Sequence, residues 1–181
     1  MVRVITGSAR GVHLQTLPGE DTRPTTDRVK EGLFSAIQFD IEGRRVLDLF
    51  AGSGQLGIEA LSRGAAHCVF VDRSVEAAAV VRKNLQAAGL FAQSQVLCLD
   101  SLSYLTRPKE RFDLVFLDPP YNSGLLLPAL TVVEPLLNPG AIVMAESDGA
   151  LLLPEQIGGL TLAKVYRYGR IYLRKYVEAV L

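Results

Sequence analysis

Short apolar runs alternate with helix-like stretches through most of the chain, and this rhythm constrains the fold more than any other feature. The strand-like runs are residues 45–50, 67–72, 95–99, 112–117 and 141–145, and the helix-like stretches between them are 55–63, 74–88 and 125–137. Nearly continuous apolar runs indicate strands buried on both faces. The sequence therefore predicts an α/β fold, a mostly parallel twisted sheet with helices on both faces.

The two ends of the chain depart from this rhythm. Residues 160–168 and 171–177 flank Gly169-Arg170, a pattern that predicts a C-terminal antiparallel hairpin. Residues 2–6 and 12–16 flank a glycine-containing turn, and they predict a small N-terminal β-hairpin extension. The sheet is therefore expected to carry antiparallel additions at both ends of the chain.

Composition and charge argue against several classes of protein. The chain has 19 basic and 19 acidic residues, so it is not a strongly basic nucleic-acid binder. It has no apolar run of about 18 residues and no N-terminal signal pattern, which makes the cytoplasm the expected location. Cys68 and Cys98 lie in apolar runs without a nearby cysteine, and we expect both to be buried. With only two histidines in addition, no metal site is expected.

A glycine-rich loop follows the first strand of the predicted sheet. Gly52, Gly54 and Gly57 are spaced as G-x-G-x-x-G between a strand and a helix, which lets the backbone approach a ligand closely. Asp72 ends the next strand, where a carboxylate can accept hydrogen bonds from ribose hydroxyls. The two features favour a nucleoside cofactor but do not choose between NAD and S-adenosylmethionine.

Two further acidic residues favour S-adenosylmethionine. Asp48 lies just upstream of the glycine loop, where a carboxylate suits a methionine amine and is unhelpful beside a pyrophosphate. Asp100 ends the third strand and precedes Ser101, where the amine of an adenine needs an acceptor. Each acid also has a structural interpretation, with Asp48 as a brace of the loop and Asp100 as a helix N-cap.

The sequence Asp118-Pro119-Pro120-Tyr121 follows the fourth strand. A carboxylate and a backbone carbonyl of the proline pair can each accept one N–H of an exocyclic amine, which frees the nitrogen lone pair for attack on a sulfonium methyl. The prolines hold these acceptors in place, and Tyr121 offers a face for stacking a flipped base. A proline-stiffened turn with a buried tyrosine is the structural alternative.

These motifs together resemble those of class I amino-methyltransferases. They are the loop D-L-F-A-G-S-G, the V-D turn, Asp100 and D-P-P-Y. More narrowly, R-V-I-T-G-S-A-R-G followed by T-R-P-T-T-D-R-V-K-E-G-L-F resembles the 16S rRNA (guanine(966)-N(2))-methyltransferase family, and the similarity extends from Val2 to Tyr176. The resemblance implies a Rossmann-like class I methyltransferase that moves a methyl group from S-adenosylmethionine to the N2 of a guanine in 16S rRNA. The implied partner is the assembling or assembled small ribosomal subunit, with no obligate protein partner.

The resemblance also assigns expected roles to residues. The reaction centre would be Asp118, Pro119, Pro120 and Tyr121. The cofactor-binding candidates are Thr25, Asp48, Phe50, Ala51, Gly52, Ser53, Gly54, Asp72, Arg73, Asp100 and Ser101. The RNA-binding candidates are Arg10, Arg23 and Arg28. We expect one domain over residues 1–181, with 1–24 as an N-terminal hairpin and loop extension and 25–181 as the catalytic core.

Three other functions share part of this pattern. A DNA adenine or cytosine amino-methyltransferase would use the same D-P-P-Y chemistry, although the chain has no room for a separate target-recognition region. An NAD-dependent oxidoreductase would share the glycine loop and Asp72 but would leave D-P-P-Y without a purpose. A non-catalytic RNA-binding protein would be expected to have lost Asp118 or the glycines, and both are present.

Overall fold

The computed structural model describes residues 2–19, 27–107, 110–149 and 151–179 of the 181-residue chain. The strands are β1 (Val2–Arg3), β2 (His13–Leu14), β3 (Arg45–Asp48), β4 (His67–Asp72), β5 (Ser94–Cys98), β6 (Phe112–Leu117), β7 (Leu137–Asp148), β8 (Gln156–Ile157), β9 (Leu160–Tyr168) and β10 (Ile171–Glu178). The helices are α1 (Asp27–Ala36), α2 (Gln55–Ser62), α3 (Val75–Ala88), α4 (Ser101–Leu105) and α5 (Leu126–Val132). Among the described residues, no helix is long and apolar enough to cross a membrane.

Eight strands form one mixed sheet in the order β5-β4-β3-β6-β7-β10-β9-β8. Strands β3 to β7 pair in parallel, and β10, β9 and β8 continue the sheet in antiparallel fashion. β1 and β2 form a separate antiparallel pair. The predicted α/β class, the mostly parallel sheet and both antiparallel additions are confirmed.

Alternate residues of the central strands enter two different hydrophobic clusters. Val46 and Phe70 belong to the cluster that includes residues of α1, α2 and α3, whereas Leu47 and Val69 belong to the cluster that includes residues of α4 and α5. Because neighbouring residues of a strand point to opposite faces, both faces of the sheet are buried. This double burial explains why the strands are almost continuously apolar.

The ends of several elements differ from their predicted limits. The helix predicted over 125–137 ends at Val132 and is followed by a single 3₁₀ turn at Glu134–Leu136, which contains a proline. The strand predicted over 141–145 extends from Leu137 to Asp148, because it pairs with β6 on one side and β10 on the other. The prediction that Cys98 is buried is wrong: this cysteine is exposed at the end of the edge strand β5.

The N-terminal extension is attached to the body through the buried side chain of Glu59. Its carboxylate accepts the backbone amides of Ile5 and Thr6, each at 2.9 Å, and forms ion pairs with Lys30 at 3.2 Å and Arg63 at 3.0 Å. Burial lowers the pKa of Lys30, while the Glu59 carboxylate beside it acts in the opposite direction. The extension is therefore held to the body by this buried polar network and by the apolar side chains that it buries in the core.

Candidate active site

The strand order reverses between β3 and β6, and the candidate site lies at that point. β3 pairs in parallel with β4 on one side and with β6 on the other. In an open parallel sheet, such a switch point leaves a crevice at the carboxyl ends of the strands. The glycine loop follows β3 and Asp118 follows β6, so the fold brings the two main sequence motifs to the same crevice.

The glycine loop has the backbone conformation that its sequence predicts. Gly52 has a φ of 56° and Gly54 a φ of 83°, values that side-chain-bearing residues rarely adopt. The Gly52 amide donates to the Asp72 carboxylate at 2.9 Å, and Asp72 also accepts from the Ser74 amide. Asp72 thus joins the loop after β3 to the start of α3.

Asp48 lies beneath the loop. Its carboxylate is 2 % exposed and accepts the Gly57 amide at 2.9 Å, in the first turn of α2. A buried carboxylate at this place stabilises the helix start and holds the loop above it. The bracing contact considered for Asp48 is therefore present, and the described wall of the nearby cavity does not include this residue.

A cavity of about 490 Å³ opens beside the loop. The predicted site residues on its wall are Phe50, Gly52, Asp72, Arg73, Asp100, Ser101, Asp118 and Pro120. The predicted residues Ala51, Ser53 and Gly54 lie in the same loop, but they are buried and do not line the cavity. The cavity wall therefore combines acidic side chains with an aromatic ring and the backbone of the loop. Such a wall suits a nucleoside, which has hydroxyl and amine donors.

Asp100 is the helix N-cap that its structural interpretation predicted, and its position also leaves the proposed cofactor contact open. Its carboxylate caps α4 by accepting the Ser103 amide at 2.9 Å, and it also lies on the cavity wall. The hydrogen bond from Ser103 is the main reason that the pKa of Asp100 is lowered. The group is therefore an ionised acceptor at neutral pH. The neighbouring Ser101 is fixed by donating its hydroxyl to the Leu49 carbonyl at 2.8 Å.

The D-P-P-Y turn is shaped by the residues that follow it. Asn122 has a φ of 57°, in the left-handed region that asparagine tolerates better than most residues. The Ser123 amide then donates to the Pro120 carbonyl at 3.3 Å. Pro119 is buried, Asp118 is half-buried and Pro120 is exposed. The turn is therefore packed into the protein on one side and accessible on the other.

A second cavity, of about 210 Å³, adjoins the first and shares Pro120, Ser123 and Leu125 with it. Pro119 and Tyr121 lie on its wall together with Glu146, Ser147 and Asp148 from the end of β7. The Tyr121 hydroxyl donates to Glu146 at 2.8 Å, and Glu146 is 2 % exposed. Glu146 was not predicted from the sequence, although an acidic residue at the end of an apolar strand is the same signal that identified Asp118.

The N-terminal extension reaches the first cavity through residues for which the sequence predicted no role, whereas the cofactor contact predicted near this end of the chain was Thr25. Leu17, Pro18 and Gly19 line the cavity opposite the glycine loop. Asn84 on α3 links the extension to the glycine loop. Its side chain bonds to the Gln15 backbone at 2.8 and 2.9 Å and donates to the Ser53 carbonyl at 2.9 Å. Asn84 is 1 % exposed. An asparagine on the buried face of a predicted helix was the available signal.

The predicted RNA-binding residues are only partly described. Arg10 and Arg28 are both exposed on the N-terminal side of the molecule. Arg23 and the cofactor candidate Thr25 lie outside the described residues. The junction at residue 24 between the two predicted parts of the domain falls in the same gap, so that division stays a prediction.

Comparison with known proteins places the chain among methyltransferases. The family model "Conserved hypothetical protein 95" matches residues 2–177. Ribosomal RNA small subunit methyltransferase D of Haemophilus influenzae is 39 % identical over 182 residues, covering 97 % of this chain and 93 % of its own length. A solved structure from Escherichia coli aligns with a TM-score of 0.90 at 32 % identity, covering 99 % of each chain. The 16S rRNA N2 G1207 methyltransferase of Thermus thermophilus, solved with AdoMet and guanosine, aligns with a TM-score of 0.70 at 26 % identity, covering 87 % of this chain and 43 % of that one.

Proposed function

The chain belongs to the conserved hypothetical protein 95 family and is a relative of ribosomal RNA small subunit methyltransferase D, and from this premise we propose that it methylates the N2 of a guanine in 16S rRNA. One observation carries the proposal. The D-P-P-Y turn lies at the switch point of the sheet, between a cavity suited to a nucleoside cofactor and a second, smaller cavity of about 210 Å³.

The first cavity fits S-adenosylmethionine. Asp72 suits the ribose hydroxyls, Asp100 with Ser101 suits the adenine amine, and Phe50 offers an apolar surface beside them. The loop of Phe50, Ala51, Gly52, Ser53 and Gly54 would hold the methionine end, with the negative charge of Asp48 beneath it. When bound, this cofactor supplies a methyl group already activated by a sulfonium.

Asp118 and the Pro119 carbonyl are the proposed acceptors for the two N–H bonds of the target amine. The lone pair of such an amine is delocalised into the ring, so the amine is a weak nucleophile. Acceptors on both N–H bonds favour tetrahedral geometry at the nitrogen and make its lone pair available in line with the methyl group. Of the two proline carbonyls, that of Pro120 already accepts the Ser123 amide within the turn, so we assign the second N–H to the Pro119 carbonyl.

The second cavity is the proposed seat of the base. Tyr121 would stack on the base, and its hydrogen bond to Glu146 keeps the ring in one orientation. Because the methyl donor is activated, most of the acceleration would come from holding the amine and the donor in line. The preference for guanine in the small subunit is supported by the names of the relatives rather than by the cavity alone.

The test uses three substrates with methyl-labelled S-adenosylmethionine: small subunits that lack the modification, naked 16S rRNA and duplex DNA. After digestion, the labelled nucleosides are identified by mass spectrometry. We expect labelled N2-methylguanosine from an RNA substrate, and transfer to subunits alone would establish that assembly is required. Label on DNA adenine or cytosine would preserve the D-P-P-Y chemistry but overturn the RNA assignment.

A further inference from the structure

The β9–β10 hairpin carries five cationic side chains and no acidic one between residues 164 and 175. The five side chains differ in exposure and in their contacts. Lys175 lies 3.5 Å from the Asp40 carboxylate, and Arg174 is 7 % exposed. Lys164, Arg167 and Arg170 are exposed, so a basic surface remains on this hairpin.

The strand register connects this basic surface to the second cavity. Arg167 on β9 is the cross-strand partner of Tyr172 on β10, and Tyr172 is in turn the partner of Ser147 on β7. Directly opposed residues of antiparallel strands place their side chains on the same face. One row across three strands therefore leads from an exposed arginine to Ser147 on the wall of the cavity.

The contacts along this row are tight. The guanidinium of Arg167 lies 5.6 Å from the centre of the Tyr172 ring, and that of Arg174 lies 5.3 Å from it. Arg174 donates to the Ser147 hydroxyl at 2.6 Å and to the Leu151 carbonyl at 2.9 Å. Both acceptor residues line the second cavity. The hairpin and the cavity wall therefore form one connected structure, which we call the arginine–tyrosine row (Arg167, Tyr172, Arg174).

We propose that Arg167, the outer member of this row, and Arg170 in the neighbouring turn bind the RNA phosphates that flank the target nucleotide. The inference rests on the proposed function, because it assumes that the base enters the second cavity. A base held there leaves its neighbouring phosphates at the rim. The acidic residues of this region, Glu146 and Asp148, lie on the cavity wall, whereas the exposed Arg167 and Arg170 lie on the hairpin beyond it. Arginine suits this role because its planar guanidinium can bond two phosphate oxygens at once.

Arg174 has a different role in the same row. Its guanidinium is buried and holds Ser147 and the Leu151 backbone, so it positions the cavity wall instead of reaching the RNA. Arg167 keeps one contact of its own, in which its Nε donates to the Gly169 carbonyl at 3.1 Å. That bond orients the side chain and leaves its outer nitrogens for phosphate oxygens.

The test is the double variant Arg167→Gln/Arg170→Gln, with Lys83→Gln as the matched control. Lys83 is exposed on α3, which packs against β4 and β5 in the cofactor half. We expect the KM for unmethylated small subunits to rise about tenfold, and the slope of log(kcat/KM) against log[salt] to fall by about 1–2, as for two lost phosphate contacts. The kcat at saturating substrate and the Kd for S-adenosylmethionine should stay at the wild-type values.

An unchanged KM and salt slope in the double variant would overturn the proposal. A rise in KM that appears only in Arg10→Gln/Arg28→Gln, the variant of the N-terminal arginines, would overturn it as well. Arg170→Gln alone keeps the test valid if the double variant loses thermal stability, because Arg170 lies in an exposed turn. Binding of labelled 16S rRNA is measured in parallel. If the wild-type protein binds the RNA but transfers no methyl group, the proposed function fails while the binding comparison still decides whether the hairpin is the RNA surface.

Discussion

The walls of the two adjoining cavities are fixed by different kinds of contact, although the cavities share the D-P-P-Y turn. The first is formed by a loop backbone and by acidic side chains that backbone amides already hold, as Asp72 is held by Gly52 and Ser74. The second is lined by the turn after β6 and by the end of β7, and side chains fix its wall by bonding to one another, as Tyr121 bonds to Glu146 and Arg174 to Ser147. Cofactor binding should therefore depend on where the backbone lies, and base positioning on individual side chains.

The largest expected effect is on the shared turn. Asp118→Asn keeps the size of the side chain but removes the charge that we propose as the acceptor of the amine N–H. We expect methyl transfer to fall about 10³-fold, in the range known for loss of one preorganised electrostatic group. Single-turnover transfer measures the rate, and calorimetry measures the Kd for S-adenosylmethionine, which should change less than twofold. A Kd that weakens in parallel with the rate would place Asp118 in cofactor binding and remove the contrast between the cavities.

The next effect concerns the attachment of the N-terminal extension, whose described residues 17–19 line the first cavity. Glu59→Gln leaves the buried Lys30 ammonium without its counter-ion, and it weakens the bonds to the Ile5 and Thr6 amides. We expect the free energy of unfolding to fall by about 3 kcal/mol, measured by urea denaturation. Glu31→Gln, on the exposed side of α1, should change it by less than about 0.5 kcal/mol. Equal stability of the two variants would show that the extension is not held by Glu59.

A smaller effect is expected at Asn84, which joins the extension to the glycine loop. Asn84→Ala removes its bonds to the Gln15 backbone and to the Ser53 carbonyl. We expect the Kd for S-adenosylmethionine to rise about tenfold, which corresponds to about 1.4 kcal/mol. The neighbouring exposed Lys83 again supplies the control, since Lys83→Gln should leave that Kd unchanged. If Asn84→Ala binds the cofactor as tightly as the wild type, the position of residues 17–19 does not contribute to cofactor binding.

The smallest effect is expected at Tyr121. Tyr121→Phe keeps the stacking face and removes the hydrogen bond to Glu146, so the ring is less firmly oriented. We expect kcat/KM for the RNA substrate to fall about three- to tenfold, the usual worth of one such bond. Steady-state kinetics with small subunits measures it. A loss as large as that of Asp118→Asn would mean that the hydroxyl itself takes part in the reaction.

The sequence predicted the parts of the molecule whose signals are local. The glycine loop and the helix over 74–88 were read from a few neighbouring residues. The structure has the loop where it was expected, and it has the helix at Val75–Ala88 between a Ser74 cap and a Gly89 cap. The family resemblance drawn from the motifs is confirmed by the match over residues 2–177. Local signals suffice here because tight turns and caps depend on the conformations of single residues.

The parts that the sequence did not predict depend on contacts between distant residues. Glu146 meets Tyr121 across 25 positions, and Asn84 meets Gln15 across 69. Both are polar residues in otherwise apolar patterns, which marks them as unusual but does not identify their partners. RNA contacts were predicted at the N-terminal arginines, yet the structure also presents a basic surface on the C-terminal hairpin next to the second cavity. The hairpin itself was predicted, but its pairing with β7, which brings it to the cavity, was not.

The most direct measurement of the division between the two cavities is single-turnover methyl transfer to small subunits at increasing S-adenosylmethionine, for Asn84→Ala and Asp118→Asn side by side. A defect in cofactor binding is overcome by more cofactor, whereas a defect in the reaction centre is not. We predict that Asn84→Ala reaches the wild-type rate at saturation and that Asp118→Asn stays about 10³-fold slower at every concentration. Recovery of both variants, or of neither, would contradict the separation of cofactor binding from methyl transfer.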